Sequence, residues 1–306
     1  MKKFLTLFLV IFLSVSVSHS QNLENRINKY VSDFGKGYSQ PVVEGLGLMM
    51  NNGWVSVKAM KDLFSADIGI AAVFVPVTSS DKSFNIASPY DNTLQSVSTA
   101  VGSSNETTIS GYQSVPNANP ITYPKGFNLS LIPVFMPQFT IGNLVHTRLT
   151  IRALPKIKTG DLGYISLFGV GLQHYISEDF IKPLPLDFGI MGSYETLKLG
   201  DIITANSVTG SAVVSKRVWK INFYTLLGYD YSKMKFSYST TYYDPSLGSM
   251  KTTSTSFESQ GKNGFKLCLG GTAETRFARF NLGMNLMPKF CFDLGLSVGG
   301  GLKKIF

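Results

Sequence analysis

The chain has 306 residues, of which 44% are hydrophobic and only 15% charged, and its net charge is +9. Two cysteines are too few for a disulfide-rich scaffold, and the apolar content is too high for a disordered chain. The positive charge fits the phosphates of a membrane leaflet or simply a solvated surface, and we expect no nucleic-acid partner.

Residues 1–20 have the pattern of a targeting segment. Two lysines precede an apolar run from Phe4 to Val17, and small residues end the segment. The sequence therefore predicts a signal peptide, 1–20, that is cleaved before Gln21. No later window reaches the ~18 apolar residues that a membrane-spanning helix needs. Two classes remain: a transmembrane barrel and a soluble, secreted β protein.

Residues 21–64 form a separate N-terminal segment in which apolar side chains recur at helical spacing. Gly35 and Gly37 are expected to end a first helix, and Pro41 to open a second one. Such a helical segment acts as a plug in the barrel or as a lid at its periplasmic mouth. Alternatively, it is a surface helix pair on the rim.

Residues 65–306 contain ten segments in which apolar and polar side chains alternate, as they do in strands. The predicted strands are 66–77, 129–141, 144–154, 162–176, 186–199, 206–216, 219–231, 264–277, 280–288 and 290–306. The last one, ending at Phe306, is long enough for a tilted strand that crosses a bilayer. We predict an all-β fold, an antiparallel transmembrane β-barrel of about ten strands, with twelve to fourteen as the alternative.

The lengths of the connections support a membrane barrel. Long connections, 78–128 and 232–263, fall on one side of the predicted barrel, and the tight turns fall on the other. Outer-membrane barrels have long extracellular loops and short periplasmic turns, whereas a soluble meander has no reason to sort its loops. The sequence therefore predicts the outer membrane of a Gram-negative bacterium.

The inward-facing positions of the predicted strands carry charges of both signs. The candidate lumen-lining residues are Arg148, Arg152, Lys220, Glu274 and Arg276. In a barrel of about ten strands, such charges would largely pair across the interior and fill it. They form either a purely structural network or the polar floor of a ligand pocket.

The second predicted strand contains two prolines, Pro133 and Pro137. Because proline cannot donate to a strand ladder, two of them in a closed barrel predict a local break or bulge. The break is either a lateral opening for an apolar ligand or lies above the membrane, in the stalk of the first long loop.

The sequence offers little for catalysis or metal binding. His146 and His174 have no Cys, Asp or Glu at ligand spacing, and Ser166 lacks the glycines of a nucleophile turn. Cys268 and Cys291 should face the lumen two strands apart, roughly 9.6 Å, which is too far for a disulfide. We expect no enzyme, no catalytic residue, no metal and no cofactor, and two free thiols.

Three stretches carry a family resemblance: 45–54, 134–142 and 168–174. They resemble a functionally unassigned family of Bacteroidetes-type outer-membrane β-barrel proteins. The helical N-terminus, large first loop, disrupted early strand and terminal phenylalanine more distantly resemble FadL-type long-chain fatty-acid transporters. Those transporters plug their barrel with the N-terminus and release hydrophobic cargo sideways. This chain is shorter and lacks the Asn-Pro-Ala stretch of their plug, so no ligand residue is transferred.

The second resemblance implies a channel for uptake of small hydrophobic molecules, with Pro133 and Pro137 framing the exit. The alternative is a non-transporting barrel that serves as scaffold or partner in a secretion or adhesion complex through its long loops. The expected partners are outer-membrane lipid, a hydrophobic small molecule, and the barrel-assembly machinery, which reads C-terminal strands that end in phenylalanine. Lys304 departs from that terminal pattern.

Overall fold

The computed structural model describes residues 21–55, 64–88, 92–109, 120–158, 164–177, 185–244, 249–275 and 277–301. The predicted signal peptide, 1–20, lies outside the described residues, as do Lys304 and Phe306.

The described residues form one long helix and fifteen strands. In chain order these are α1 (Gln21–Asn51), β1 (Ser65–Pro76), β2 (Ser83–Ala87), β3 (Leu94–Ser98), β4 (Thr107–Ile109), β5 (Ile121–Tyr123), β6 (Leu131–Leu144), β7 (Thr147–Lys158), β8 (Tyr164–His174), β9 (Asp187–Leu199), β10 (Ile203–Val218), β11 (Ile221–Asp244), β12 (Ser249–Gln260), β13 (Gly264–Glu274), β14 (Ala278–Met287) and β15 (Cys291–Gly301).

Ten of these strands close into an antiparallel barrel. The order around the wall is β1, β6, β7, β8, β9, β10, β11, β13, β14 and β15, and β15 pairs back onto β1. The closing pair is in register from Ser65–Gly301 to Phe74–Phe292. Each of the ten predicted strands overlaps one barrel strand, so the predicted fold class is confirmed.

The barrel wall is hydrophobic outside and polar or closely packed inside. On β9, Ile190 and Tyr194 are 54% and 45% exposed, whereas Ser193 and Glu195 are 8% and 0% exposed. The same alternation continues on β15, where Leu296 is half exposed. A continuous apolar surface of this kind is typical of a wall that contacts lipid.

The connections define two ends of the barrel. At the turn end, strands are joined by the short connections 145–146, 219–220 and 275–277. At the loop end, residues 77–130 carry two small hairpins, β2–β3 and β4–β5, which bury Ile86, Val97 and Tyr123. Both long connections therefore lie at the loop end, as predicted, but the sorting is incomplete: the short connections 200–202 and 288–290 also lie there, and the longer connection 175–186 lies at the turn end.

One predicted loop is largely strand. Residues 232–263 contain the upper part of β11 and all of β12, which pair from Lys233–Gln260 to Asp244–Ser249. Because β10 pairs with β11 only as far as Phe236, this hairpin continues beyond the barrel wall at the loop end. Alternation of Ser and Thr with few apolar residues concealed these strands in the sequence.

Helix α1 is continuous, which corrects the prediction of two helices. Gly35 and Gly37 do not end the helix; they allow close contact with the hairpins. A Cβ at Gly35 would lie 3.0 Å from the ring of Phe257, and one at Gly37 would collide with Phe84. Pro41 lies inside the helix, so it does not mark the start of a second helix.

Helix α1 enters the lumen from the loop end. Its residue Phe34 contacts Phe84 of β2 and Tyr123 of β5, whereas Asn51 contacts Tyr231 and Lys266 in the barrel wall. The helix is therefore a plug in the loop half of the lumen, and not a lid at the opposite, turn-end mouth. No helix among the described residues is long and apolar enough to cross a membrane.

Candidate functional site: a plugged lumen beside an unpaired strand edge

The loop half of the lumen is filled by a hydrophobic core around α1. The helix contributes apolar side chains that are 8% exposed or less, namely Val42, Val43, Leu48, Met49 and Met50. The wall contributes apolar side chains from several strands, among them Met136, Leu167, Leu197, Ala205 and Met234. This half of the barrel is a packed core and not an open pore.

Two buried cations hold the C-terminal end of α1. Lys266 Nζ donates to the Asn51 carbonyl oxygen at 2.6 Å and lies 3.1 Å from Asp230 Oδ1. Arg152 Nη2 donates to the Asn52 carbonyl oxygen at 2.7 Å. The last carbonyls of a helix lack intrahelical partners and carry the negative end of its dipole, so cations bind there favourably. Since the last turn of α1 contains no basic residue, the barrel wall supplies this cap.

Arg152 also stacks on Trp54, just past the helix end. Its guanidinium carbon lies 3.8 Å from the ring centroid. The indole fits against β8 because Gly169 and Gly171 have no side chain there; a Cβ at Gly171 would lie 2.7 Å from Trp54 Cε3. Two of the stretches that carry the family resemblance, 45–54 and 168–174, therefore meet inside the lumen.

The turn half of the lumen is polar. Arg279 Nη2 lies 3.2 Å from Asp67 Oδ2, and its Nε lies 3.1 Å from Glu274 Oε1. Arg148 is buried nearby, with its guanidinium carbon 5.8 Å from the ring centroid of Tyr175. At the centre of the lumen, the space beside the end of α1 measures about 10 Å³, roughly one water.

The five candidate lumen-lining residues have different positions in the structure. Arg148 and Arg152 lie inside the barrel, 3% and 0% exposed, and Glu274 faces Arg279 at the turn end. Lys220 does not line the lumen: it has the inward parity of its neighbours but lies in the exposed 219–220 turn, before β11 begins. Arg276 lies outside the described residues.

Sequence reasoning missed Asp67 and Arg279, which are both buried and paired. Asp67 could have been predicted to face the lumen, because it precedes Ile68, an apolar residue of the outward face. In the structure the Ile68 side chain is 63% exposed. Arg279 has no such signal, since its segment reads as a tight turn, whereas in the structure it is the second residue of β14.

The two prolines lie at an unpaired edge in the barrel wall. On one side, β6 pairs with β1 without interruption from Gly142 to Leu131. On the other side, the last pair between β6 and β7, counted toward the loop end, is Gln138–Arg152. Residues 131–137 of β6 and 153–158 of β7 are all described and have no pairs with one another. We call this interval the seam.

Prolines and a register shift at the seam disfavour hydrogen-bonded pairing between β6 and β7. Pro137 is the first residue of β6 beyond the last pair, and Pro133 lies four residues further. On β7, Pro155 falls in a register shift between Leu154 and Ile157 against β8. Proline has no amide hydrogen to donate, so neither edge can form a regular ladder across the seam. On their other side both prolines pair with β1, so they lie in the barrel wall and not in the loop above it.

The plug lies directly behind the seam. Ile132 and Met136 of β6 point inward and belong to the core around α1, and Leu154 of β7 packs against that core. The Ile132 side chain lies so close to α1 that a Cβ at Gly45 would be 3.0 Å from its Cδ1. An apolar molecule that passed the seam would therefore meet the apolar face of the helix.

A second contact set ties α1 to the loop end; we call Glu44, Asp81 and Lys289 the latch. Lys289 Nζ lies 2.9 Å from Glu44 Oε2 and 2.7 Å from Asp81 Oδ1. Burial by itself raises the pKa of Asp81, but hydrogen bonds from Lys289 and Thr78 outweigh it and lower the pKa below its ordinary value. Burial lowers the pKa of Lys289, but its two carboxylate partners more than compensate and raise it.

The family model described as "Family of unknown function (DUF6588)" matches residues 1–299. The chain belongs to this family. No curated protein matches the sequence. The match confirms the expectation of a functionally unassigned family, whereas the Bacteroidetes-type and FadL-type resemblances stay predictions.

Solved structures resemble this DUF6588 chain only distantly. Ail, the attachment invasion locus protein of Yersinia pestis, in complex with the heparin analogue sucrose octasulfate, is 11% identical, with 77% of this chain and 96% of that chain covered and a TM-score of 0.22. The transport unit of the autotransporter AIDA-I from Escherichia coli is 8% identical, with 86% and 97% covered and a TM-score of 0.27. Scores this low support no argument, and the barrel rests on its own strand pairing.

Proposed function

We propose that this protein is an outer-membrane barrel that admits small hydrophobic molecules through the seam, with α1 as a movable plug. One observation carries the proposal: residues 131–137 of β6 and 153–158 of β7 do not pair with one another, and this interval contains Pro133, Pro137 and Pro155. Unpaired backbone in hydrocarbon is unfavourable, and it is tolerated where it borders a cavity or a plug.

The surroundings of the seam favour an apolar cargo. Its inner side is formed by Ile132, Met136 and Leu154, and the helix face behind it is apolar. A polar solute entering here would lose its hydration without gaining hydrogen bonds. In the turn half, Arg279 is paired with Asp67 and Glu274, and Arg148 is buried beside Tyr175, so a polar floor lies beneath the plug.

Movement of α1 is the gating step in this proposal. Leaving the lumen requires breaking the Arg152 and Lys266 contacts at the helix end and the latch at the loop end. These polar contacts are specific and are lost when the helix moves. The apolar contacts between helix and wall are non-directional, so an apolar ligand can replace them. The proposal is one of passage and not of catalysis.

The proposal also includes the location and the assembly of the barrel. The exposed apolar band supports contact with outer-membrane lipid, and β15 completes the wall by pairing with β1. We include the barrel-assembly machinery as a partner that reads this last strand.

A staple across the seam tests the proposal. Phe135→Cys and Pro155→Cys place thiols on the outer side of β6 and β7, where a continued register would set them opposite one another. A short bifunctional maleimide should join them and reduce uptake of an apolar fluorescent dye by intact cells. Unchanged uptake after complete stapling would count against passage through the seam.

The matched control staples a closed part of the wall. Tyr194→Cys and Val208→Cys lie on the outer face of paired strands β9 and β10. Joining them should leave dye uptake unchanged. Both native cysteines are buried, so the reagent should reach only the introduced thiols.

A second candidate function is a docking role at the loop end. There β12 pairs, among the described strands, only with β11, and Leu94 and Met250 are 73% and 64% exposed. An open strand edge and exposed apolar side chains are typical of sites that bind another protein. Deleting residues 238–255, the tip of the hairpin, should then remove a stoichiometric partner from an outer-membrane pull-down.

A further inference from the structure

A groove of about 440 Å³ lies on the outer face of the barrel beside the seam. Its apolar lining comes from Pro155 and Phe168, which are exposed, and from Leu154 and Leu167, which also pack in the core around α1 and form the floor of the groove. Its polar surface includes Lys156 and Lys198, each exposed at the rim. A groove that joins an apolar floor to two cations suits an amphipathic anion.

The groove lies where the outer wall changes from apolar to polar. One outward-facing row, in register across four strands, is Val170, Tyr194, Val208 and Tyr231. Four residues nearer the loop end, the corresponding row is Ser166, Lys198, Thr204 and Lys235. Tyrosines followed by lysines mark the level at which lipid headgroups meet a membrane protein.

The two lysines have no acidic partner on this face. In the part of the chain that the structure describes, neither Lys156 nor Lys198 forms an ion pair. Glu195, close to Lys198 in sequence, points into the lumen and is 0% exposed. Asp201, in the β9–β10 turn three residues after Lys198, is exposed but forms no ion pair with either lysine among the described residues, and Glu258 on β12 is paired with Lys233 at 2.6 Å. The rim therefore presents, at headgroup height, two lysines whose ammonium groups form no ion pair among the described residues.

We propose that this groove binds one phosphate-bearing lipid of the outer leaflet. Lys156 and Lys198 hold the phosphate by charge-assisted hydrogen bonds, and an acyl chain lies along Phe168 and Leu154 toward the seam. The lipid chain then covers the unpaired outer edge of β7 when no cargo is present. This inference goes beyond passage through the seam, because binding requires no movement of α1.

Native mass spectrometry of the full-length protein in detergent tests the site. The probes are a phosphorylated lipid A and the same lipid after enzymatic removal of its phosphates. We expect one phosphorylated molecule per barrel to be retained. The Lys156→Gln/Lys198→Gln double variant should retain it at least about tenfold more weakly, as expected for the loss of one or two charge-assisted contacts.

The control variant removes two lysines at the other end. Lys216→Gln/Lys220→Gln affects exposed residues near the turn end and should bind like the wild type. A third variant, Thr196→Trp, fills the groove while keeping both lysines and should also weaken binding. Equal retention by all variants, or equal retention of the dephosphorylated lipid, would overturn the site. Because no uptake is measured, failure here is separate from failure of the seam staple.

Discussion

Arg152 and Trp54 form the central contact of the molecule: the guanidinium carbon of a strand residue lies 3.8 Å from the ring centroid of the residue that follows the plug. The same guanidinium donates to the Asn52 carbonyl oxygen at 2.7 Å and lies 3.2 Å from Glu195 Oε2. One side chain thus joins the plug, β7 and β9. Arg152 also belongs to the last pair of β6 with β7, Gln138–Arg152, so it lies at the edge of the seam.

Replacing Arg152 by methionine should lower the free energy of unfolding by about 3–5 kcal/mol, because Glu195 would be left buried without its partner. Denaturant unfolding in lipid vesicles measures this change. The double variant Arg152→Met/Glu195→Met removes both charges and should recover much of the loss. A single variant as stable as the wild type would contradict the contact.

Gly171→Ala should destabilise the barrel by about 1–3 kcal/mol, since the new methyl group presses on the Trp54 ring. The loss should shrink in a Trp54→Leu background, which a double-mutant cycle detects. Gly210→Ala is the matched control, because a Cβ there has nothing within 4 Å. Equal effects at Gly171 and Gly210 would refute the close approach.

The latch should be insensitive to pH between about 5 and 9. The folded pKa of Asp81 lies below its ordinary value, so its contribution is complete above roughly pH 3.9 and is lost as pH falls through the folded pKa. The folded pKa of Lys289 is raised, so its contribution is complete below roughly pH 10.4 and is lost as pH rises through the folded value. Hydrogen exchange of residues 33–51 at several pH values measures this window.

Asp81→Asn should loosen the plug at neutral pH. A partly buried ion pair contributes about 1 kcal/mol, which corresponds to roughly fivefold faster exchange in α1. Asp201→Asn, in the exposed β9–β10 turn, is the control and should leave exchange unchanged. Identical exchange in both variants would show that the latch does not hold the helix.

Cys268 and Cys291 should remain reduced thiols that react with maleimide only after unfolding. Both are buried, and each pairs in register with Asn285 on the strand between them, so they lie two strands apart. That separation is roughly 9.6 Å, beyond the reach of a disulfide. Rapid labelling of the folded protein would contradict the closed lumen.

The alternation of side chains was sufficient to predict the wall, because a barrel with lipid outside and packing inside imposes period two on every strand. It could not predict the single helix, since Gly35 and Gly37 read as breaks until Phe84 and Phe257 are known to pack against them. The alternation also placed Lys220 wrongly in the lumen, because the alternation of inward and outward side chains does not show where a strand begins.

The prolines predicted a break in strand pairing, but they did not predict which neighbour of β6 the break would face. Pro133 and Pro137 leave the ladder with β1 intact, and the unpaired edge faces β7, whose own Pro155 and register shift became relevant only once the neighbours were known. The contacts of Arg152 with the plug likewise join residues that are far apart in sequence, and a local sequence pattern cannot predict such contacts.

Dye uptake by cells that carry the Phe135→Cys/Pro155→Cys pair is the most direct test of passage through the seam. Stapling should reduce the rate to that of cells lacking the protein, while the Tyr194→Cys/Val208→Cys staple leaves it unchanged; a cleavable linker should restore uptake on reduction. A seam-stapled protein that passes dye at the unstapled rate would contradict the account.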